Sequence, residues 1–127
     1  MLIYRTIAPQ IETKERMAIQ MLASGHGNQE HYHLLEDVYN LLRIAMQAPG
    51  REYLREVTEP YGAALKSVQD RYVRFGKFGL NHIDRKTLTD MINTSADFWM
   101  RQPTELYMVC DAELRKYYGG LKNESKG

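Results

Sequence analysis

Residues 28–47, NQEHYHLLEDVYNLLRIAMQ, constrain the fold of this chain more than any other stretch. At about 100° per residue, Leu34, Leu35, Val38, Tyr39, Leu41, Leu42, Ala45 and Met46 fall within an arc of about 160°, wider than the single stripe of a surface helix. A helix with so broad an apolar face has to be covered by more than one neighbour. Glu36, Asp37, Asn40, Arg43 and Gln47 take the other side, with Ile44 its one apolar member. The stretch predicts the central helix of a bundle.

The flanking segments supply the partners. Residues 1–10 read as an irregular lead-in closed by Pro9, and a first helix is expected from about Glu12 to Ser24, with Met17, Ala18, Met21 and Leu22 on one face and Gly25 just past its end. Asn28 is the expected N-cap of the central helix, because its side-chain oxygen can accept from the free amides of the first turn. Ala48-Pro49-Gly50 breaks the pattern. Beyond it, Leu54, Val57, Tyr61, Leu65, Val68, Tyr72 and Phe75 keep one helical phase straight through Pro60. Proline in a helix interior removes a hydrogen bond and collides with the preceding turn, at about 3 kcal/mol. Since the phase is not reset, a single third helix from about Glu52 to Phe75, kinked at Pro60, is expected; the rival is a break at Thr58.

After the turn Gly76–Gly79, Asn81 or Asp84 can cap a fourth helix that faces Leu88, Ile92, Ser95, Ala96 and Trp99 inward. Pro103 suits the first turn of a fifth helix, Glu105 complements its dipole, and Leu106, Val109, Cys110, Leu114 and Tyr117 form its inward side up to Gly119-Gly120. No strand-period alternation and no internal repeat is present. The expectation is an all-α, single-domain bundle of about five helices over residues 11–119, with a flexible tail at 120–127.

Composition narrows the function classes. With 127 residues the chain can bury roughly two-thirds of its unfolded surface in one core. Its 17 basic and 16 acidic side chains balance to +1, so no charged partner is favoured globally. The lone Cys110 excludes an internal disulfide and suits a reducing compartment. No apolar run approaches the roughly 20 residues of a membrane span, and MLIYRTIAPQ lacks the core of a secretion signal. A cytoplasmic protein without membrane contact is expected. Nine tyrosines and seven methionines are many for this length. Tyrosine serves interfaces because it buries apolar area and keeps a polar tip, and it also lines the edges of helical cores.

Three blocks of sequence resemble a group of small uncharacterised all-helical proteins of proteobacterial phages, prophages and plasmids. They are SGHGNQEHYHLLEDVYNL (24–41), VQDRYVRFGKFGLNHIDRKTLTDMI (68–92) and, more weakly, QPTELYMVCDAEL (102–114). The resemblance implies a mobile-element setting inside a bacterial host. Small proteins there act by binding, as regulators or as inhibitors of host or defence complexes such as anti-CRISPR proteins.

Candidate chemistry is sparse. Glu30, His33, Glu36 and Asp37, with His26 and His31, are dense enough to suggest metal, and Glu30 with His33 forms one E-x-x-H. A di-iron bundle needs a second such pair, which the chain lacks, so no metal or other cofactor is expected. Cys110 has no histidine on its helix to act as a base, and Ser24, Ser67, Ser95 and Ser125 stand in no nucleophile context. No enzymatic activity is expected.

The segment Arg71–Lys86, RYVRFGKFGLNHIDRK, is the main candidate for binding. Arg71, Arg74, Lys77, Arg85 and Lys86 stand against the single acid Asp84, with Phe78 between glycines in a loop. Cations pair with phosphates or carboxylates, and an exposed aromatic can fill a partner's pocket or stack on a base. Alternatively Phe78 plugs the end of the bundle and the cations meet only solvent. Across residues 28–40, Glu30, Glu36 and Asp37 are unopposed by any Lys or Arg, so an acidic face and a basic corner could also meet in a homodimer. The expected function is a non-enzymatic phage or mobile-element protein that binds and inhibits a host or defence protein complex. The alternative is a dimeric nucleic-acid-binding transcriptional regulator using the same corner.

Overall fold

A computed structural model describes the backbone of residues 3–126 and the side chains of residues 8–119. Five helices follow one another: α1 (Ile3–Ala23), α2 (Gln29–Ala45), α3 (Leu54–Phe75), α4 (His82–Met100) and α5 (Thr104–Lys126), with no strand among the described residues. The all-α bundle is as expected. Helix α2 packs against all four others, which accounts for the breadth of its apolar arc. Helix α4 completes one group with α1, α2 and α3, and α5 lies on α2 and the side of α1.

Two clusters of buried side chains follow from this arrangement. The larger joins Leu22 of α1, Leu35 and Val38 of α2, Leu65 and Val68 of α3, and Leu88 and Ile92 of α4. The second lies toward the other end of α2, where Leu42 and Ala45 meet Leu54, Phe98, Trp99, Cys110 and Leu114. Polar tethers also cross between helices. Tyr61 shares a 2.8 Å hydrogen bond with Thr94, Arg16 donates to Asn93 at 2.7 Å, and Tyr118 donates to Asp37 at 2.7 Å. At the α2 end of the bundle, Arg51 donates twice to the Gln102 side-chain oxygen, at 3.0 and 2.8 Å, and ties the α2–α3 connection to the α4–α5 connection.

The caps follow local chemistry. Asn28 accepts from the amides of Glu30 and His31, and its own N–H donates to His31 Nδ1 at 3.0 Å, closing a capping box. A backbone N–H must donate, so Nδ1 is the bare nitrogen and His31 carries any single proton on Nε2. Asn81 caps α4 by accepting from Asp84 N at 2.7 Å. Gly27, in the α1–α2 turn, lies so close to α1 that a Cβ there would sit 2.7 Å from the Leu22 Cα.

Several boundaries differ from the sequence expectation. Residues 3–10 are not a lead-in: α1 begins at Ile3 and carries Pro9 inside it. Proline there forfeits only one helical bond, and the same turns place Ala8 and Ile11 against the second core cluster, which offsets the loss. Residues 120–126, expected to form a tail beyond the bundle, continue α5, which runs through Gly119-Gly120 to Lys126. Glycine keeps its N–H, so a pair of glycines weakens a helix by about 1 kcal/mol each without interrupting its hydrogen bonds. Met1, Leu2 and Gly127 lie outside the described residues.

Helix α3 runs unbroken through Pro60, and the rival break at Thr58 does not occur. Thr58 is buried and donates to Leu54 O at 2.7 Å, an i−4 bond made inside a continuing helix. Glu56 and Pro60 are both exposed, so the carbonyl that proline leaves without a helical partner stands on the water side. Periodicity overstated burial in places. Val57 and Phe75 of α3, and Val109 and Tyr117 of α5, are exposed although they share the inward phase of their helices.

Candidate partner-binding corner

The α3–α4 connection is held by one aromatic stack and one ion pair. Phe78 stacks on Tyr72 with ring centroids 4.1 Å apart and planes 6° from parallel, and on Tyr32 of α2 at 5.4 Å and 18°. Tyr32 in turn donates to Leu65 O at 3.2 Å. Phe78 is therefore buried, and its expected role as an exposed partner-binding side chain is corrected. A phenylalanine flanked by glycines has no local guarantee of burial. Here the left-handed Gly76 (φ 73°) ends α3 and turns the chain back, so that Phe78 covers the end of the core.

Arg71 also leaves the list of free cations. Its guanidinium pairs with Asp84, donates to Gly79 O at 2.6 Å and to Ser67 Oγ at 2.7 Å, and so clamps the loop between the two helices. Only 26% of the Arg71 side chain and 9% of that of Asp84 remain accessible. Breaking such a pair by removing one partner strands a charge, whereas replacing both with apolar groups does not. Asp84→Ala is expected to lower the unfolding free energy by about 2 kcal/mol, and the double replacement Arg71→Met with Asp84→Leu to recover most of it, as read by urea unfolding.

The other four expected partner-binding residues, Arg74, Lys77, Arg85 and Lys86, are exposed, and none makes an ion pair among the described residues. Arg74 lies over the Phe75 ring at 6.0 Å, a cation–π contact that holds the guanidinium beside an apolar surface. Around these cations stand exposed apolar groups. Val73 is 79% exposed, Ile83 71% and Phe75 68%. Phe75 keeps the inward phase of α3, but α3 runs past its neighbours there. Val73 carried a legible signal, as a β-branched apolar residue on the outward phase of a helix, followed directly by Arg74. On one flank of α3, Lys66, Asp70, Arg71, Arg74 and Phe75 line a shallow depression of about 510 Å³.

The remaining candidates are occupied by local contacts. His31 closes the capping box, His33 Nδ1 is 3.0 Å from Glu36, and His26 Nδ1 is 3.3 Å from Ser24 Oγ. Cys110 is 2% exposed, and burial pushes its thiol up, against the opposing charge of Arg51. Asp37, expected on the solvent side of α2, is half-buried beneath α5, where Tyr118 donates to it. No helix among the described residues is long and apolar enough to cross a membrane. Comparison with protein-family models, curated proteins and solved structures finds no significant match to this chain.

Proposed function

We propose that this chain is a non-catalytic binding protein of a mobile element, which docks the corner formed by the end of α3 and the start of α4 on an acidic face of a host or defence protein complex and thereby inhibits it. The observation that carries the reading is the exposure of Val73, Phe75 and Ile83 among Arg74, Lys77, Arg85 and Lys86 on a connection braced by Phe78 and Arg71. Protein interfaces concentrate their energy in apolar and aromatic anchors surrounded by a polar rim. A braced corner also loses little conformational entropy on docking. Valine and isoleucine cannot stack on bases as aromatics do, which favours a protein partner over the nucleic acid of the alternative reading. The resemblance to small phage and plasmid proteins supports the setting.

Affinity capture from the cell that carries the gene should recover one stoichiometric protein partner. The pair Phe75→Ala with Arg74→Glu is expected to weaken that complex at least 100-fold while leaving thermal unfolding unchanged, since neither side chain is buried. Binding to DNA or RNA whose affinity falls steeply with salt, and no protein partner, would overturn the reading in favour of a regulator.

A further inference from the structure

A groove of about 650 Å³ runs between α1, α2 and α5, and it shares no residue with the α3–α4 corner. Its volume falls within the range of small-ligand sites. Ile11, Leu34, Val38 and Leu114 give it an apolar lining, and Tyr107 and Tyr118 add two phenol rings from α5.

Into this lining projects Glu15 of α1. It is 8% exposed, and no hydrogen bond or ion pair to its carboxyl occurs among the described residues. The neighbouring Glu12 and Arg16 are engaged with each other at 3.0 Å, and Arg16 donates onward to Asn93. Across the groove, Asp37 accepts one hydrogen bond from Tyr118, and Asp111 pairs with Arg115 at 3.0 Å. Lys14, exposed at the rim, is the remaining cation of the lining. Three carboxyls thus face two cations, one of them already committed to Asp111.

Glu15 is a largely buried residue whose carboxyl oxygens open only onto the groove, and a carboxylate so placed, with no partner among the described residues, is costly in its charged form. Burial accordingly pushes Glu15 up to about 7, with Glu12 adding to the effect and Arg16 opposing it; burial raises Asp37 as well, against the Tyr118 hydrogen bond. What the groove lacks is a positive charge at the Glu15 carboxyl, delivered by a body that fills the apolar lining. We propose that the groove binds a small organic cation, an ammonium head on an apolar or aromatic body, with Glu15 and Asp37 taking the head and Ile11, Leu34 and Val38 the body. The tyrosine rings of α5 favour the same sign of charge.

The test compares three molecules with one body and different heads: tryptamine, tryptophol and indole-3-propionate, titrated into the full chain by calorimetry and by amide NMR shifts. At pH 8, where Glu15 is ionised, tryptamine should bind saturably, at least 10-fold tighter than tryptophol, and indole-3-propionate should not bind. Shifts should centre on α1, α2 and α5. An alkylammonium titrates near pH ~10, like lysine, so the advantage of tryptamine should shrink at pH 5.5 only because the carboxyls of the groove take up protons. Glu15→Gln should remove most of the advantage of tryptamine over tryptophol, with Asp37 keeping the rest, and the amide spectrum should show the fold retained. Equal binding of the three heads, no saturable binding at pH 8, or binding indifferent to Glu15→Gln would overturn the assignment. So would a lysine-containing peptide that displaces tryptamine at lower concentration, because the site would then belong to a protein partner.

Discussion

Leu42→Ala is expected to lower the free energy of unfolding by about 3–4 kcal/mol, enough to remove a large share of the stability of a domain this size. Leu42 is 0% exposed and sits where α2 meets the start of α3, the end of α4 and the middle of α5. Truncation there removes the transfer free energy of the deleted methyl and methylene groups and leaves a cavity that four helices cannot close together. Ile44, two residues on, packs only against the rim of the same cluster and stays partly accessible. Ile44→Ala should therefore lose only about 1 kcal/mol, since water can reach the vacated volume. Urea unfolding at neutral pH, with unchanged dependence on denaturant, distinguishes the two. Equal losses at the two positions would mean that the second core cluster is not closed as described.

Glu15→Gln is the second large effect, and its sign depends on pH. The carboxyl is pushed from an ordinary 4.5 to about 7, first by burial, then by Glu12, with Arg16 opposing. The native state thus holds this proton more tightly than the unfolded chain does. Between pH 4.5 and 7 the unfolded chain has released it and the native state has not, so stability falls as pH rises through that window. Above pH 7 the full penalty is present; below pH 4.5 it vanishes. Glutamine is close in shape to the protonated acid and cannot ionise. The variant should match the parent near pH 4 and exceed it by about 2–3 kcal/mol at pH 8. A difference that does not change with pH would show that the Glu15 carboxyl is solvated or paired in solution. A cation bound in the groove should shrink the pH 8 difference, because it supplies the charge that the apolar lining denies.

The two effects bracket how this bundle balances stability against an open site. The polar groups buried in the core around α2, such as Thr58 and the Tyr32 hydroxyl, are hydrogen-bonded, whereas the α1–α5 side carries a largely buried acid without a partner that weakens the fold at neutral pH. Such a residue is tolerated in a domain whose other helices are densely packed, and it marks a place where something other than stability constrains the side chain.

How much of this was legible in the sequence varied with the range of the interaction. Asn28 and Asn81 announced their helices because a capping oxygen reaches amides only two or three residues away, and Pro103 stands at the start of α5 for a similarly local reason. The apolar arc of α2 revealed a central helix before any neighbour was known. Pro9 was misread as a stop, because its local penalty was weighed without the contacts of Ala8 and Ile11. The members of the basic segment 71–86 separated in the fold: Arg71 and Phe78 became braces, and Arg74, Lys77, Arg85 and Lys86 stayed exposed. Glu15 drew no notice in a run of alternating charges, since nothing within four residues shows that α5 will lie over it.

By itself the sequence determined that the chain forms helices, where four of the five begin to within a few residues, and which face of α2 turns inward. Hydrogen bonds and periodic apolar positions act over one or two turns, and one or two turns are fully written in the order of residues. Only the tertiary structure decided which inward-phased side chains find a neighbour, so that Phe75 stands in water while Phe78 is sealed between Tyr32 and Tyr72. It also decided that Glu15 is largely buried, at the wall of a groove, with no partner for its carboxyl among the described residues. Helix phase sets the direction in which a side chain points, and the lengths and crossings of the other helices set whether anything stands there to meet it.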